Sequence, residues 1–303
     1  MEINWYPGHM AKAKRQLIDQ LNRVDVVVEL CDARLPYASR NPDLDKLLAN
    51  KKRVLMLNKA DLADANATGM WLNYFRAQGI DAVSYTATGG KAKDAIAVID
   101  RAAKEIVERA AQKGMKKTVR AMVVGVPNVG KSTFTNRLHG GNIAKTGDRP
   151  GVTRSNQWVR ISPYLELMDT PGLLWPRLDD QVAARRLCYI GTVKDDVVDL
   201  AMLTIHLLQD MLAVKPEAVM ERFKVKDATL RGEELLEAVC RGRGFLMRGG
   251  VCDYDRCCAV VLDEFRAGKL GRITLEYPQK KDDQPKRLVI RASEKKEDTN
   301  GED

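Results

Sequence analysis

A glycine-rich stretch at residues 125–132 constrains the fold of this chain more than any other feature. Its sequence, GVPNVGKS, matches the G-x-x-x-x-G-K-[ST] pattern of a phosphate-binding loop. The apolar residues 121–124 before it have the character of a buried strand, and residues 133–138 after it can open a helix. This order presents backbone N–H groups to phosphate oxygens at the positive end of the helix dipole. A glycine-rich turn without a ligand is the alternative, but it does not account for both flanking elements.

A second motif, Asn58-Lys59-Ala60-Asp61, directly follows the buried-type strand at residues 53–57. It matches N-K-x-D, the motif with which GTPases read guanine. A carboxylate at Asp61 can accept hydrogen bonds from guanine N1–H and the N2 amino group, whereas adenine would leave it unpaired. Asn58 is expected to hold the loop and the base edge, and the stem of Lys59 to cover the base face. Alone, the motif could be an ordinary turn; beside a phosphate-binding loop it predicts a GTP or GDP site.

The residues of the phosphate-binding loop then acquire specific expected roles. Lys131 is expected to reach the β- and γ-phosphates, and Ser132 to bind Mg²⁺. Asn128 matches the residue that helps to hold K⁺ beside the phosphates in potassium-activated GTPases, and capping of the loop is its alternative role. Further nucleotide contacts are expected from Val129, Gly130 and Thr133.

The sequence DTPG at residues 169–172 matches D-x-x-G, a third GTPase motif. Asp169 would hold Mg²⁺ through water, and the N–H of Gly172 would sense the γ-phosphate. Thr153 is expected to be the switch threonine that binds Mg²⁺, and Thr146 is the competing candidate. Together with Ser132, these residues predict a magnesium site.

The base-reading segments precede the phosphate-binding ones along the chain, which is the reverse of an ordinary GTPase. Thr86 and Ala87 lie where a short loop normally offers a backbone N–H, here that of Ala87, to guanine O6. This order would arise if an ordinary GTPase were cut before the strand at residues 24–30 and its original termini were joined by the basic linker 112–117. With that cut, every strand and helix of the GTPase fold has a counterpart in this sequence. Domains with neighbouring termini tolerate such a circular permutation.

These motifs predict an α/β fold: the doubly wound, mostly parallel sheet of a P-loop GTPase, circularly permuted, over residues 1–192. A small all-helical domain follows at residues 193–277 and ends in a short strand at 271–275, and the charged tail 278–303 is expected to be disordered. The predicted strands are 24–30, 53–57, 82–85, 121–124, 156–161 and 164–168. The predicted helices are 7–22, 43–49, 67–78, 91–112, 179–189, 197–212, 215–222, 231–240 and 254–267, with one more after the phosphate-binding loop.

The motif order and the N-terminal sequence NWYPGHM at residues 4–10 resemble the circularly permuted GTPases of the YlqF/RbgA ribosome biogenesis family. Residues 243–246 and 268–272 resemble that family too, so the resemblance covers about residues 1–277. It implies a GTP-hydrolysing assembly factor for the large ribosomal subunit, whose GTP state controls association with and release from the pre-ribosomal particle. It also implies that the helical domain contacts rRNA. The alternative is an rRNA-binding chaperone or placeholder with nucleotide-modulated affinity and negligible turnover.

The expected catalytic groups are unusual at one position. Leu173 follows Gly172, where many GTPases have a glutamine that orients water, so hydrolysis by the free protein should be slow and the ribosomal particle should stimulate it. The family resemblance points to His9 as the substitute. Packing of the N-terminal helix or contact with RNA is the alternative role for His9. With His9, the expected catalytic set comprises Lys131, Thr153 and Gly172.

Composition and net charge indicate which binding partners and which cellular compartment to expect. The net charge of +9 suggests an anionic partner, nucleic acid first and a membrane surface second. Lys12, Lys14, Arg15 and the basic stretch 241–291 are expected to contact RNA, although a solvated basic face is the alternative. We expect no membrane span, no signal peptide and a cytoplasmic monomer. The six cysteines, three of them clustered at 252–258, are expected to be reduced structural thiols, with a zinc site as the disfavoured alternative.

Overall fold

The computed structural model of the protein describes residues 8–141, 143, 157–173 and 180–278, without the side chains of residues 8–14, 43 and 157. The strands are β1 (Val26–Asp32), β2 (Lys52–Asn58), β3 (Asp81–Ser84), β4 (Val119–Val124), β5 (Gln157–Ser162) and β6 (Leu165–Asp169). The α-helices are α1 (Gly8–Leu21), α2 (Asp43–Leu47), α3 (Ala65–Ala77), α4 (Ala92–Gln112), α5 (Lys131–His139), α6 (Gln181–Tyr189), α7 (Leu200–Val214), α8 (Pro216–Phe223), α9 (Gly232–Arg243) and α10 (Tyr254–Arg266). Short 3₁₀ turns lie at Ala60–Leu62 and Asp195–Val197.

The strands form one sheet in the order β3-β2-β1-β4-β6-β5. All neighbouring strands are parallel except β5 and β6, which are antiparallel. β1 is buried along its whole length. Its run of valines fits this position, because strands that are covered on both faces are rich in apolar residues. The predicted doubly wound, mostly parallel sheet is confirmed. The circular permutation stays a prediction from motif order, with which the interior position of β4 agrees.

The topology brings the sequence motifs to one edge of the sheet. The carboxyl ends of the parallel neighbours β2, β1, β4 and β6 meet there, where ligands of such sheets usually bind. N-K-x-D begins at the last residue of β2, the phosphate-binding loop follows β4, and D-x-x-G begins at the last residue of β6. Segments more than a hundred residues apart along the chain therefore become neighbours.

Helices α7 to α10 form the C-terminal helical region. Aspartate side chains accept hydrogen bonds at the N-termini of α3, α6, α7 and α10, as is typical of N-caps; these are Asp64, Asp180, Asp199 and Asp253. Apolar residues of α7 and α10 belong to the same buried cluster as those of the sheet, with Leu207 and Val261 as examples. The helical region and the sheet thus share one continuous core.

The strand predicted at residues 271–275 is wrong. The segment is extended but pairs with no strand of the described chain; its backbone N–H groups bond to loops that follow β1 and β2 instead. Ile273 N donates to Leu62 O at 3.0 Å, and Leu275 N donates to Arg34 O at 3.0 Å. Both side chains are buried, so apolar burial against those loops determines its conformation. The C-terminal segment therefore packs against loops at the carboxyl edge of the sheet.

Within the part of the chain that the structure describes, no helix combines the length and the apolar character needed to cross a membrane. All six cysteines are buried free thiols. Among the described residues, no group of histidine, cysteine and acidic side chains is arranged to hold a metal ion by itself.

Candidate functional site

Two glycines of the phosphate-binding loop occupy positions that exclude a side chain. Gly125 has φ +152°, and a Cβ atom there would lie 2.4 Å from the carbonyl oxygen of Leu30 in β1. Gly130 has φ +95°, and its Cβ would lie 2.5 Å from Nδ2 of Asn58. Because only glycine avoids both the contact and the left-handed strain, the loop can pass this close to β1 and to the N-K-x-D segment.

Asn58 connects three loops through one buried amide. Its Nδ2 donates to Val129 O at 2.8 Å, and its Oδ1 accepts from Ala87 N at 2.9 Å. The phosphate-binding loop, the N-K-x-D segment and the loop of Thr86 and Ala87 are thereby held together. The N–H of Ala87, which was expected to bind guanine O6, donates to Asn58 in this structure, so the guanine contact stays a prediction.

Lys59 and Asp61 occupy the rim of the site. Lys59 has a left-handed backbone, with φ +59°, and its Nζ donates to Asn128 O at 2.7 Å. Asp61 lies in the 3₁₀ turn with its side chain exposed, where a base could reach it. The Ala60 N–H bonds to Tyr85 O at 3.1 Å, which fixes this turn beside the loop after β3.

Two of the three residues predicted to bind Mg²⁺, Ser132 and Asp169, are in contact with each other. Ser132 Oγ donates to Asp169 Oδ2 at 2.8 Å. A hydroxyl and a carboxylate are hard oxygen ligands of the kind that Mg²⁺ prefers, so this pair fits the ion. Thr133, next along α5, is partly buried.

Lys131 is buried, and its Nζ donates to Val126 O at 2.9 Å. Burial lowers the pKa of Lys131 to about 8, and the nearby carboxylate of Asp169 opposes that shift. The ammonium group therefore lies inside the loop, where a bound phosphate would add to the negative charge of Asp169.

Gly172 and Leu173 are fixed against the phosphate-binding loop. A Cβ at Gly172 would lie 2.7 Å from the backbone of Pro127, and Leu173 N donates to Gly125 O at 3.1 Å. The Leu173 side chain is buried in an apolar cluster that includes Leu17 of α1. It therefore faces the core, as an aliphatic residue should, and supplies no group that could orient water.

Asn128 makes a bond that the sequence did not suggest. Its backbone is left-handed, with φ +63°, and its Nδ2 donates to the carbonyl of Gly191, just after α6. The phosphate-binding loop is thus connected to the end of the helix that follows D-x-x-G.

Asp32 and Arg34 were also missed as site residues, although Asp32 lies at the carboxyl end of β1 between the two main motifs. Asp32 Oδ2 lies 3.2 Å from Lys59 Nζ and 2.8 Å from Arg34 Nη2. The sequence feature that could have identified Asp32 is its position, because a charged residue at the end of a buried central strand requires a partner.

Several predicted residues cannot be placed. Thr153 and its competitor Thr146 lie outside the described residues, as do residues 4–7 of the N-terminal motif and residues 279–303 of the tail. His9 lies in α1, but its side chain is not among those described.

Comparison with known proteins agrees with this geometry. A family model described as 50S ribosome-binding GTPase matches residues 120–231. Ribosome biogenesis GTPase A of Bacillus cereus is 44 % identical over 281 residues, which cover 92 % of this chain and 95 % of that protein.

Two solved structures are also similar. A GDP-bound structure of TM YlqF has a TM-score of 0.62 and 27 % identity, covering 88 % of this chain and all of that one. GNP-bound YlqF from T. maritima has a TM-score of 0.61 and 28 % identity, covering 88 % of this chain and 99 % of that one. With a P-loop and N-K-x-D motif at one sheet edge and this likeness along most of its length, the chain belongs to the ribosome biogenesis GTPase A family.

Proposed function

We propose that this GTPase acts in assembly of the large ribosomal subunit, and that its GTP state controls association with and release from the pre-ribosomal particle. The name of its relatives, ribosome biogenesis GTPase A, and the description of the matching family model, 50S ribosome-binding GTPase, support this partner. The observation that carries the proposal is the shared architecture: the nucleotide-site loops and the helical region belong to one core, and Asn128 bonds to Gly191 between them. A change at the nucleotide can therefore reach a surface that binds the particle.

The residues of the proposed nucleotide site fall into three groups, according to the part of the ligand that each group binds. Guanine is read by Asn58, Lys59, Asp61, Thr86 and Ala87. The phosphates lie on Asn128, Val129, Gly130, Lys131, Ser132, Thr133 and Gly172. Ser132, Thr153 and Asp169 would hold Mg²⁺, which would supply positive charge to the phosphates. The contact between Ser132 and Asp169 supports this assignment.

Hydrolysis depends on residues that position water and stabilise charge. Lys131 leaves Val126 O to contact the phosphates, and Gly172 offers its N–H to the γ-phosphate. Leu173 is buried and supplies no water-orienting amide, so the free protein is slow. His9, on α1, would complete the catalytic set when the particle is bound, and Thr153 would be a further ligand of Mg²⁺.

K⁺ is a further cofactor of this site. Asn128, whose Nδ2 donates to Gly191 O, matches the residue that helps to hold K⁺ beside the phosphates in potassium-activated GTPases. The test is replacement of K⁺ by Na⁺ in the turnover assay.

The helical domain, residues 193–277, contacts rRNA through basic residues of the stretch that begins at residue 241, together with Lys12, Lys14 and Arg15. The excess of positive charge in the chain supports an RNA backbone as the partner. We place the protein in the cytoplasm as a monomer, without a membrane partner.

Multiple-turnover GTP hydrolysis with and without large-subunit particles tests this function. The parent protein should be slow alone and stimulated by on the order of 10³-fold, because positioning of a catalytic group lowers the barrier by several kcal/mol. His9→Ala should keep the nucleotide affinity of the parent and lose most of the stimulation. Full stimulation of a His9→Ala protein that binds the particle normally would exclude His9 as the catalytic group.

A second candidate is an rRNA chaperone or placeholder with negligible turnover, which the buried Leu173 favours. In that case particles would bind in a nucleotide-dependent way, but they would not accelerate hydrolysis by the parent protein.

A further inference from the structure

We propose that Asp32 and Arg34 are positioning residues that couple Lys59 of the guanine site to the docking of helix α10. Neither residue belongs to a nucleotide-binding motif. Asp32 is the last residue of β1 and Arg34 lies in the turn that follows, between the N-K-x-D segment on one side and the end of α10 on the other. The coupling runs through side chains and is separate from the covalent path through D-x-x-G and α6.

The first step is the contact between Asp32 and Lys59. Asp32 is fully buried, and its Oδ2 lies 3.2 Å from Lys59 Nζ. Burial disfavours the charged carboxyl, but the charges of Arg34 and Lys59 outweigh burial and hold the pKa of Asp32 well below its usual range. The carboxylate therefore stays ionised and, with Asn128 O at 2.7 Å, fixes where the Lys59 ammonium lies. The aliphatic stem of Lys59 is expected to cover guanine. Its direction is determined by the position of the ammonium group at its end.

The second step is the pair between Asp32 and Arg34. The guanidinium donates to both carboxylate oxygens, from Nε to Oδ1 at 2.9 Å and from Nη2 to Oδ2 at 2.8 Å. The Arg34 backbone N–H adds a third bond to Oδ1 at 3.0 Å. A two-point pair of this kind fixes the plane of the carboxylate as well as its distance.

The third step joins Arg34 to the helical region. Its Nη1 donates to Phe265 O at 2.7 Å and to Arg266 O at 3.4 Å, in the last turn of α10. The guanidinium also lies 4.8 Å from the centre of the Phe265 ring. A cation at the carbonyl end of a helix is electrostatically favoured, so α10 and Asp32 share one buried guanidinium.

This arrangement makes the two ends interdependent. If α10 moved away, Arg34 would lose the acceptors of Nη1 and would be free to turn, and Asp32 would no longer be fixed against Lys59. Conversely, a nucleotide that holds Lys59 in place would favour the docked α10, because such coupling is reciprocal. The helical region would then sense guanine as well as the γ-phosphate.

A double-mutant cycle on the full chain tests whether Asp32 and Arg34 act through Lys59. The probe is a fluorescent N-methylanthraniloyl derivative of GDP. Arg34→Met, Asp32→Asn and Lys59→Met should each weaken its binding by about tenfold, within the usual range of coupling between sites. Adding Lys59→Met to either of the other two should produce no further loss, because all three disrupt the same contact. Losses that multiply to about a hundredfold would overturn the proposal.

A matched control separates this role from general loosening of α10. Arg222 also bonds to α10, through Glu264 at 2.8 Å, but it lies within the helical region, and Glu264 keeps Arg243 as a partner. Arg222→Met should therefore leave the affinity for the GDP probe unchanged. An equal loss in Arg222→Met and Arg34→Met would assign Arg34 a structural role only.

Hydrogen exchange provides a readout that does not require Arg34→Met to fold. In the parent protein, GDP should slow exchange of the backbone amides in the last turn of α10. In Asp32→Asn, which keeps the shape of the side chain, GDP should slow exchange in the phosphate-binding loop but no longer in α10. Undiminished protection of α10 by GDP in Asp32→Asn would contradict the coupling.

Discussion

Among single residues, Asn58 and Gly130 define the geometry of the site together. Asn58 bonds to Val129 O and to Ala87 N, and the absence of a side chain at Gly130 leaves room for its amide. The glycine of the motif is therefore required by Asn58, and it is also expected to let backbone N–H groups approach the phosphates.

Gly130→Ala should accordingly abolish tight nucleotide binding. The new Cβ, 2.5 Å from Asn58 Nδ2, would displace an amide that is fixed by two bonds, and each buried group left unpaired costs about 1–3 kcal/mol. We expect GDP affinity to fall by on the order of 10- to 100-fold, measured by fluorescence titration.

Gly114→Ala is the matched control for this change. Gly114 also has positive φ, at +69°, but nothing lies within 4 Å of its Cβ position. It should lose about 1 kcal/mol of folding stability through backbone strain and keep the affinity of the parent. Equal affinities for the two variants would show that the contact with Asn58 does not matter.

The buried Lys131 predicts a pH dependence of nucleotide binding. Its pKa of about 8 in the free protein should rise when phosphate binds, because a negative neighbour favours the ammonium form. Below pH 8 Lys131 is already protonated, so binding takes up no proton there. Above pH 8 binding requires protonation, and affinity should fall as pH rises, by up to about tenfold per unit.

Calorimetry in buffers of different ionisation enthalpy measures this proton directly. GDP binding should take up more protons at about pH 8.5 than at about pH 7.5. Equal uptake at the two pH values would mean that the lysine keeps an ordinary pKa in the free protein.

At the scale of elements, the strongly patterned segments could be predicted from the sequence. The helix predicted at 91–112 is observed at Ala92–Gln112, and the strand predicted at 53–57 extends over Lys52–Asn58. Both depend on local patterns: a helical apolar stripe in one, and a continuous apolar run in the other.

The C-terminal segment shows where such reasoning fails. The alternation of polar and apolar residues at 271–275 indicated a strand, but no partner strand is available at that place among the described residues. Leu275 N instead bonds to Arg34 O, far away in sequence. Local pattern identifies an extended chain and cannot identify what it pairs with.

The same limit applied to the site. Motifs predicted the residues that are expected to contact nucleotide, because the roles of these residues depend on spacing within one loop. The bonds of Asn128 to Gly191 and of Arg34 to Phe265 join residues 63 and 231 positions apart. No local pattern encodes such contacts, so the links between the nucleotide site and the helical region became visible only in the folded chain.

At the scale of the whole molecule, the connections between the nucleotide site and the helical region include the chain through α6, the bond from Asn128 to Gly191 just after α6, and the pair of Asp32 with Arg34. Arg266 of α10 adds bonds to Tyr189 O and Cys188 O at the end of α6, at 3.0 and 3.2 Å. Because α10 contacts both the turn after β1 and the end of α6, we expect a change at either place to reach it.

The most direct test of nucleotide control is co-sedimentation of the full-length protein with large-subunit particles. The parent should sediment with the particles in a non-hydrolysable GTP analogue and remain in the supernatant with GDP. Lys131→Ala lacks the ammonium group that is expected to contact the phosphates, so it should sediment with the particles to the same extent in the analogue and in GDP. If the parent protein bound the particles equally well with the analogue and with GDP, nucleotide state would not control association, and the account would be contradicted.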